Sequence, residues 1–390
     1  MKIAVYLPGS RPTDGGGATF QSTVVRALKK HGLGNHELVF VYEQHGPGGG
    51  LVAPFGGLTI TKERVVQLSQ RVARLLGRDA GRLQLPLDRL LDAHDVELVW
   101  FVATAFRATD MPYIQTVWDL QHRQQPWFPE VSAIQEWPLR ERAYSDSIER
   151  ATAVIVANSV AADELKRLYN ATDDRIICAP HPAPAVSPLP AEEAAAERRS
   201  LGLGDESYVF YPAQFWPHKN HTTLLRAVAL NNATRTPLRL VLTGSDKGNR
   251  AHIQAQAAEL GLTDTLFPGF VSDRALVALY QGAHALGFPS FFGPENLPPL
   301  EAFALECPVI AVDVPGMREQ LGDAPLWVAP TDAAAMSDAL GALHDAKTRR
   351  KHIKAGTLRL DGRSAEDYLG TVREFVDHFA DVRAAWPPGV

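Results

Sequence analysis

FPSFFGPENLPPLEAFALECPVIAVD, residues 288–313, holds a strand end, a Pro/Gly loop, a helix start and a second strand. Ala285-Leu286-Gly287-Phe288 closes an apolar run. Pro289, Gly293, Pro294, Pro298 and Pro299 then forbid regular structure until a helix begins near Leu300. Glu301 falls in its first turn, where a carboxylate suits the helix dipole. Pro308-Val309-Ile310-Ala311-Val312 reads as a fully buried parallel strand. A loop that ends a parallel strand and opens a helix is where α/β sheets bind phosphorylated ligands. This stretch predicts an α/β fold with its ligand site at this strand end.

The same strand-then-helix rhythm runs outward in both directions. Strands are expected at Lys2–Leu7, Leu38–Tyr42, Leu58–Ile60, Glu97–Val102, Tyr113–Trp118, Ala153–Ala157 and Arg175–Ala179, then at Tyr208–Tyr211, Leu238–Thr243, Thr265–Pro268 and Leu326–Val328. Between the two groups, Pro180-His181-Pro182-Ala183-Pro184 and Ser187-Pro188-Leu189-Pro190 make a semi-rigid connector. The expected organisation is a first domain over 1–182, a second over 183–365 and a terminal amphipathic helix within 366–390. A chain of 390 residues exceeds one ordinary core, which agrees with two domains.

Composition excludes several classes. A net charge of −5 gives no overall attraction to nucleic acid. Two cysteines, Cys178 and Cys307, neither build a disulfide scaffold nor stand at metal-ligand spacing, and both read as core residues in a reducing compartment. Met1-Lys2-Ile3-Ala4-Val5-Tyr6 starts a strand at once without a signal-peptide pattern, and no apolar run is long enough to span a bilayer. A cytoplasmic protein is expected.

Four loops carry candidate chemistry. Gly15-Gly16-Gly17 precedes a helix expected over Thr19–Lys30; its N–H groups can approach an anion, or the turn needs only positive φ. It lacks G-x-G-x-x-G, so no dinucleotide fingerprint is read. Lys219 follows the strand Tyr208–Tyr211 and precedes a helix, a place for a phosphate-binding point charge or for an ordinary exposed basic loop. Asp119 and His122 follow the strand Tyr113–Trp118; a lone loop histidine there is either a surface or capping group or a cleft group. Lys62–Gly77 reads as an amphipathic helix whose basic side (Arg64, Arg71, Arg74, with Arg78 and Arg82 beyond) is either solvated or docks on anionic lipid or a pyrophosphate-linked acceptor.

PSFFGPENLPPLEAFALECPVIAVDVPG resembles the nucleotide-sugar-binding segment of family 4 retaining glycosyltransferases, P-S-x-x-E-G-F-G-L-P-x-L-E-A-x-A-x-G-x-P-V-I. The resemblance implies a GT-B fold: two doubly wound Rossmann-like domains facing across a cleft, with the last helix returning to the first domain. It implies that Lys219 neutralises a donor diphosphate and that Glu301 holds ribose hydroxyls. Gly293 stands where the family has its first glutamate, and Glu295 is the substitute for the sugar contact. His122 or Asp119 would orient the sugar, since Trp118 stands at the family's histidine. Gln214 replaces an arginine, with His218 as compensation. Gly16, Gly17 and Gly244 would line the cleft, Phe270 and Val271 would bracket the base, and Gly293, Asn296 and Leu297 would offer backbone groups to the donor.

The reaction so implied moves a sugar from a nucleotide diphosphate sugar to a saccharide or lipid-linked acceptor, with retention. No Asp-x-Asp pair ends a strand, so neither a metal nor another cofactor is expected. No nucleic-acid partner is expected, and peripheral contact with the inner membrane face would run through helix 62–78. Two rivals stay open: a nucleotide-sugar epimerase on the same fold, and a catalytically weakened relative that binds a sugar nucleotide or serves as a partner subunit.

Overall fold

The computed structural model describes residues 1–8, 15–44, 58–61 and 86–387. Two parallel sheets organise them. The first contains β1 (Lys2–Leu7), β2 (Glu37–Gln44), β3 (Leu58–Thr61), β4 (Leu98–Phe101), β5 (Tyr113–Thr116), β6 (Ala153–Val156) and β7 (Ile176–Cys178), in the spatial order β3-β2-β1-β4-β5-β6-β7. The second contains β8 (Tyr208–Pro212), β9 (Arg239–Thr243), β10 (Leu266–Gly269), β11 (Ala285–Phe288), β12 (Val309–Val312) and β13 (Leu326–Val328), in the order β10-β9-β8-β11-β12-β13. Central strands such as β4, β6, β11 and β12 are buried along their whole length. Helices cover both faces of such strands, which is why their sequences are unbroken apolar runs. Strand order reverses beside β1 and beside β8, so a crevice opens at the carboxyl ends there. A cleft of about 990 Å³ is lined from both sheets.

The chain passes from β7 to the second sheet through the proline-rich residues 180–190 and returns before the helix Ala365–Arg383. There the Ala183 N–H donates to the Arg363 carbonyl at 2.8 Å. Ser364 and Asp367 form a reciprocal cap on that last helix. Its Tyr368, Leu369, Val372 and Val376 bury in the core of the first sheet. Each such side chain contributes roughly 1.5–3 kcal/mol relative to exposure, so apolar burial holds the returning helix.

Several local expectations change. The helix over the decisive stretch is Leu297–Ala304 and begins three residues before Leu300, because prolines fit a first turn that needs no N–H donors. Glu301 therefore lies in mid-helix, away from the first turn. The glycine-led helix is Gly16–His31, starting before Thr19. Asn158 caps the helix Ser159–Tyr169 through Ala161 N–H at 3.0 Å, which frees the Ser159 hydroxyl to donate to Glu319 of the second domain at 2.5 Å. Cys307 is buried as expected, whereas Cys178 is exposed. The helix Ala346–Leu358 has no sequence signal, since among its described side chains only His352 and Gly356 are buried. The helix read over 62–77 lies outside the described residues.

Candidate functional site

The second sheet presents four strand ends to the cleft. After β8, Lys219 is half-buried on the cleft wall, and no ion-pair partner stands within reach of its ammonium among the described residues. Burial holds its pKa down at about 8, against the opposite pull of Asp119 and Glu130. His218, beside it, pairs through Nδ1 with Glu130 of the first domain, and its backbone N–H donates to the same carboxylate at 3.1 Å. Burial, then Lys219, lowers the His218 pKa. The Gln214 amide oxygen accepts from Trp216 Nε1 at 2.9 Å, and its amide nitrogen lies against Gly15 of the opposite domain. Gly244 ends β9 at φ +132°, where a Cβ would stand 2.4 Å from the Ala213 carbonyl oxygen. Only glycine lets these two strand ends approach so closely. Beyond β10, Phe270 and Val271 form one lip of the cleft, with Phe270 55% exposed.

The loop after β11 is held more tightly than its proline content implies. Asn296 spends its amide on the Gly293 carbonyl (2.9 Å), and its backbone exchanges two hydrogen bonds with Gln320 (2.9 and 2.7 Å). Pro298 and Pro299 lack N–H groups, and the Asn296 N–H is taken. The helix start can therefore offer an anion little beyond the Leu297 N–H. Glu301 reaches the cleft wall, where its carboxylate accepts from the Tyr280 hydroxyl at 2.7 Å and burial raises its pKa. Leu297 lines the cleft but buries its side chain in the core of the first domain. It is a domain-packing residue more than a ligand contact.

Two expected sugar contacts, Glu295 and His122, have their side chains engaged within the protein. Glu295 does not turn its carboxylate toward a sugar: the side chain is 0% exposed, bonded to Arg363 Nη1 (2.8 Å) and the His181 N–H (2.6 Å). Gly293 has φ +131°, and a Cβ there would meet the Asn296 amide at 2.5–2.6 Å, so the loop has no place for a side chain at this position. His122 is completely buried on the far side of its short helix, Gln121–Gln124. Its Nε2 lies 3.0 Å from Glu141 and 3.2 Å from the Tyr169 hydroxyl, and its ring stacks on Tyr144. Burial, then Arg140, lowers its pKa. The helical turn after Leu120 sends Gln121 to the cleft and His122 inward.

From the first domain the cleft receives Gly16, Gly17, Trp118, Asp119 and Gln121. A Cβ on Gly17 would stand 2.7 Å from the Trp118 ring, so the indole packs directly against this glycine. Asp119 pairs with Arg140 and accepts the Gln121 N–H at 2.9 Å. Sequence reasoning passed over Glu130, His181 and Gln320. Glu130 closes the run Phe128-Pro129-Glu130 beyond the end of β5, which is a local signal; the other two act through contacts between distant segments. Among the described residues no group of three His, Cys, Asp or Glu side chains is placed to hold a metal ion.

Solved structures share this arrangement of two facing sheets from end to end. A sucrose-phosphate synthase from Thermosynechococcus elongatus superposes with a TM-score of 0.70 at 19% identity, covering 99% of this chain and 100% of the other. The chain has the GT-B fold. Anabaena Alr3699/HepE, solved in complex with UDP, matches this GT-B chain with a TM-score of 0.72 at 14% identity, over 97% of this chain and 100% of that one. Residues 193–359 match the family Glycosyl transferases group 1. D-inositol 3-phosphate glycosyltransferase of Stackebrandtia nassauensis is 31% identical over 255 residues, which is 60% of the GT-B chain and 56% of the relative. The chain thus spans about half the length of that curated relative.

Proposed function

We propose that this protein transfers a glycosyl group from a nucleoside diphosphate sugar to a hydroxyl of a saccharide or lipid-linked saccharide, with retention of configuration. One observation carries the reading: an ammonium without an ion-pair partner among the described residues, half-buried at the β8 end and facing a cleft between two GT-B domains. As the bond from the sugar to the diphosphate breaks, negative charge grows on the leaving phosphate, and Lys219 stabilises it at a fixed position. Glu301, on the cleft wall from mid-helix, is the acceptor for ribose hydroxyls, while Phe270 and Val271 flank the base. Glycosyl transfer named for the matched relative and UDP named for Anabaena HepE support this reading. Transfer is expected to persist in chelator, with Lys219 as the cation at the diphosphate.

No helix among the described residues is long and apolar enough to cross a membrane. A cytoplasmic protein that meets its acceptor at the inner membrane face through residues 62–78 completes the proposal, and cosedimentation with anionic vesicles checks it. The central experiment is calorimetric titration with UDP, GDP and ADP, followed by diphosphate release from the matching sugars. Binding by one diphosphate and loss of it in Lys219→Ala support the assignment; no binding by any of the three overturns it. Anomeric configuration of the product, read by NMR, tests retention.

A second reading, sugar-nucleotide binding without turnover, is favoured by the engagement of the fully buried Glu295 carboxylate with Arg363. It predicts diphosphate binding with no release from any sugar donor, whatever acceptor is added.

A further inference from the structure

Glu295 belongs to the loop that shapes one wall of the cleft, yet its carboxylate is fully buried and engaged by other segments. Oε1 accepts from Arg363 Nη1 at 2.8 Å and Oε2 from the His181 backbone N–H at 2.6 Å. His181 lies in the outgoing crossing between the sheets and Arg363 in the returning one, and the Ala183 N–H joins the two crossings by donating to the Arg363 carbonyl at 2.8 Å. The neighbouring Pro294 carbonyl accepts from Asn158 Nδ2 of the first domain at 2.7 Å. Glu295 is 0% exposed and Arg363 7%, and no other carboxylate pairs with Arg363 among the described residues. A charge pair dried to this degree contributes little net stability, but loss of one partner strands the other without compensation. Its distinctive effect is geometric, because three segments far apart in the sequence meet at one carboxylate.

We propose that Glu295 is a positioning residue, a latch that ties loop 289–296 to both interdomain crossings so that closing the cleft and shaping its wall are one event. The consequence for binding rests on the diphosphate reading above, whereas the mechanical coupling does not. Glu295→Gln keeps the shape but removes the charge and turns one of the two accepting oxygens into a donor that faces Arg363 or the His181 N–H. Arg363→Lys keeps the charge of the partner and serves as the conservative variant.

Hydrogen exchange by mass spectrometry on the full chain, with and without UDP, GDP and ADP, reads the coupling. In the wild type the bound diphosphate should slow exchange together in 180–190, 289–296 and 359–364. In Glu295→Gln the protection should shrink to loop 289–296, with at least a tenfold loss at both crossings, and Arg363→Lys should retain joint protection. Joint protection that persists in Glu295→Gln, or three segments that respond separately in the wild type, overturns the latch. If none of the three diphosphates protects the wild type, the donor reading falls and unliganded exchange decides the latch. Acceleration of all three segments in Glu295→Gln then supports it, and acceleration confined to 289–296 overturns it. If Glu295→Gln does not fold, Arg363→Gln carries the same comparison: protection that shrinks to loop 289–296 supports the latch, and joint protection that persists overturns it.

Discussion

Lys219 and Gly293 show how much one residue decides here. A charge-assisted contact to phosphate contributes about 1.5–3 kcal/mol, so Lys219→Ala should weaken diphosphate binding by roughly ten- to a hundredfold in a calorimetric titration. The pKa of about 8 gives this affinity a pH dependence. The cation is complete below that value and lost above it, so binding should fall as pH rises through 8, and Lys219→Ala should abolish that fall. Gly293 is the opposite case. Restoring a glutamate at this family position places a side chain at φ +131° and against the Asn296 amide. The backbone strain costs about 1–3 kcal/mol. Gly293→Glu should therefore lower the thermal midpoint and bring no tighter sugar binding.

At the scale of elements, the glycine-led helix and the end of β5 form one joint. The Trp118 indole occupies the space that any Cβ on Gly17 would need. Gly17→Ala should destabilise the protein by about 1–3 kcal/mol through overpacking. Trp118→His should relieve most of it, with a coupling of about 0.5–3 kcal/mol in a double-mutant cycle read by denaturant unfolding. Equal losses in the presence and absence of Trp118 would show that the two elements are independent. The loop after β11 is a second joint: Asn296 and Gln320 close it reciprocally, which explains how a segment with four prolines nearby holds one shape.

Across the whole molecule, buried ionisable groups set opposing responses to acid. Burial raises Glu295 to about 7, with Arg363 opposing it and Arg359 and Glu319 also nearby. A raised carboxylate gives stability that is complete below its ordinary range and lost as pH climbs to about 7. Burial lowers His181 to about 4 and His221 to about 3. Their stability is present above the ordinary value of 6.5 and lost as pH falls through the lowered ones. From pH 7 toward 5 the two effects oppose. The wild-type thermal midpoint should thus change gently with acid, and Glu295→Gln, lacking the compensating carboxylate, should fall more steeply. Parallel slopes for the two proteins would remove Glu295 from this account.

The residues by themselves determined the alternation of apolar strands and helices, the proline-rich break after Ala179, and the strand ends where Lys219, Gly244, Phe270 and Glu301 line a cleft. These properties are local: periodicity, turn chemistry and burial by helices on both faces act within one segment. Tertiary structure alone decided the orientation of the polar side chains. Gln214 and Glu295 both stand on the cleft wall, yet Gln214 lies against Gly15 of the opposite domain while the Glu295 carboxylate is drawn to Arg363. His122 follows Asp119 by three positions but turns into a buried pocket made by Glu141, Tyr144 and Tyr169. A charged side chain goes where its counter-charge and dry volume are. Both are supplied by segments tens to hundreds of residues away, whose approach no local pattern encodes.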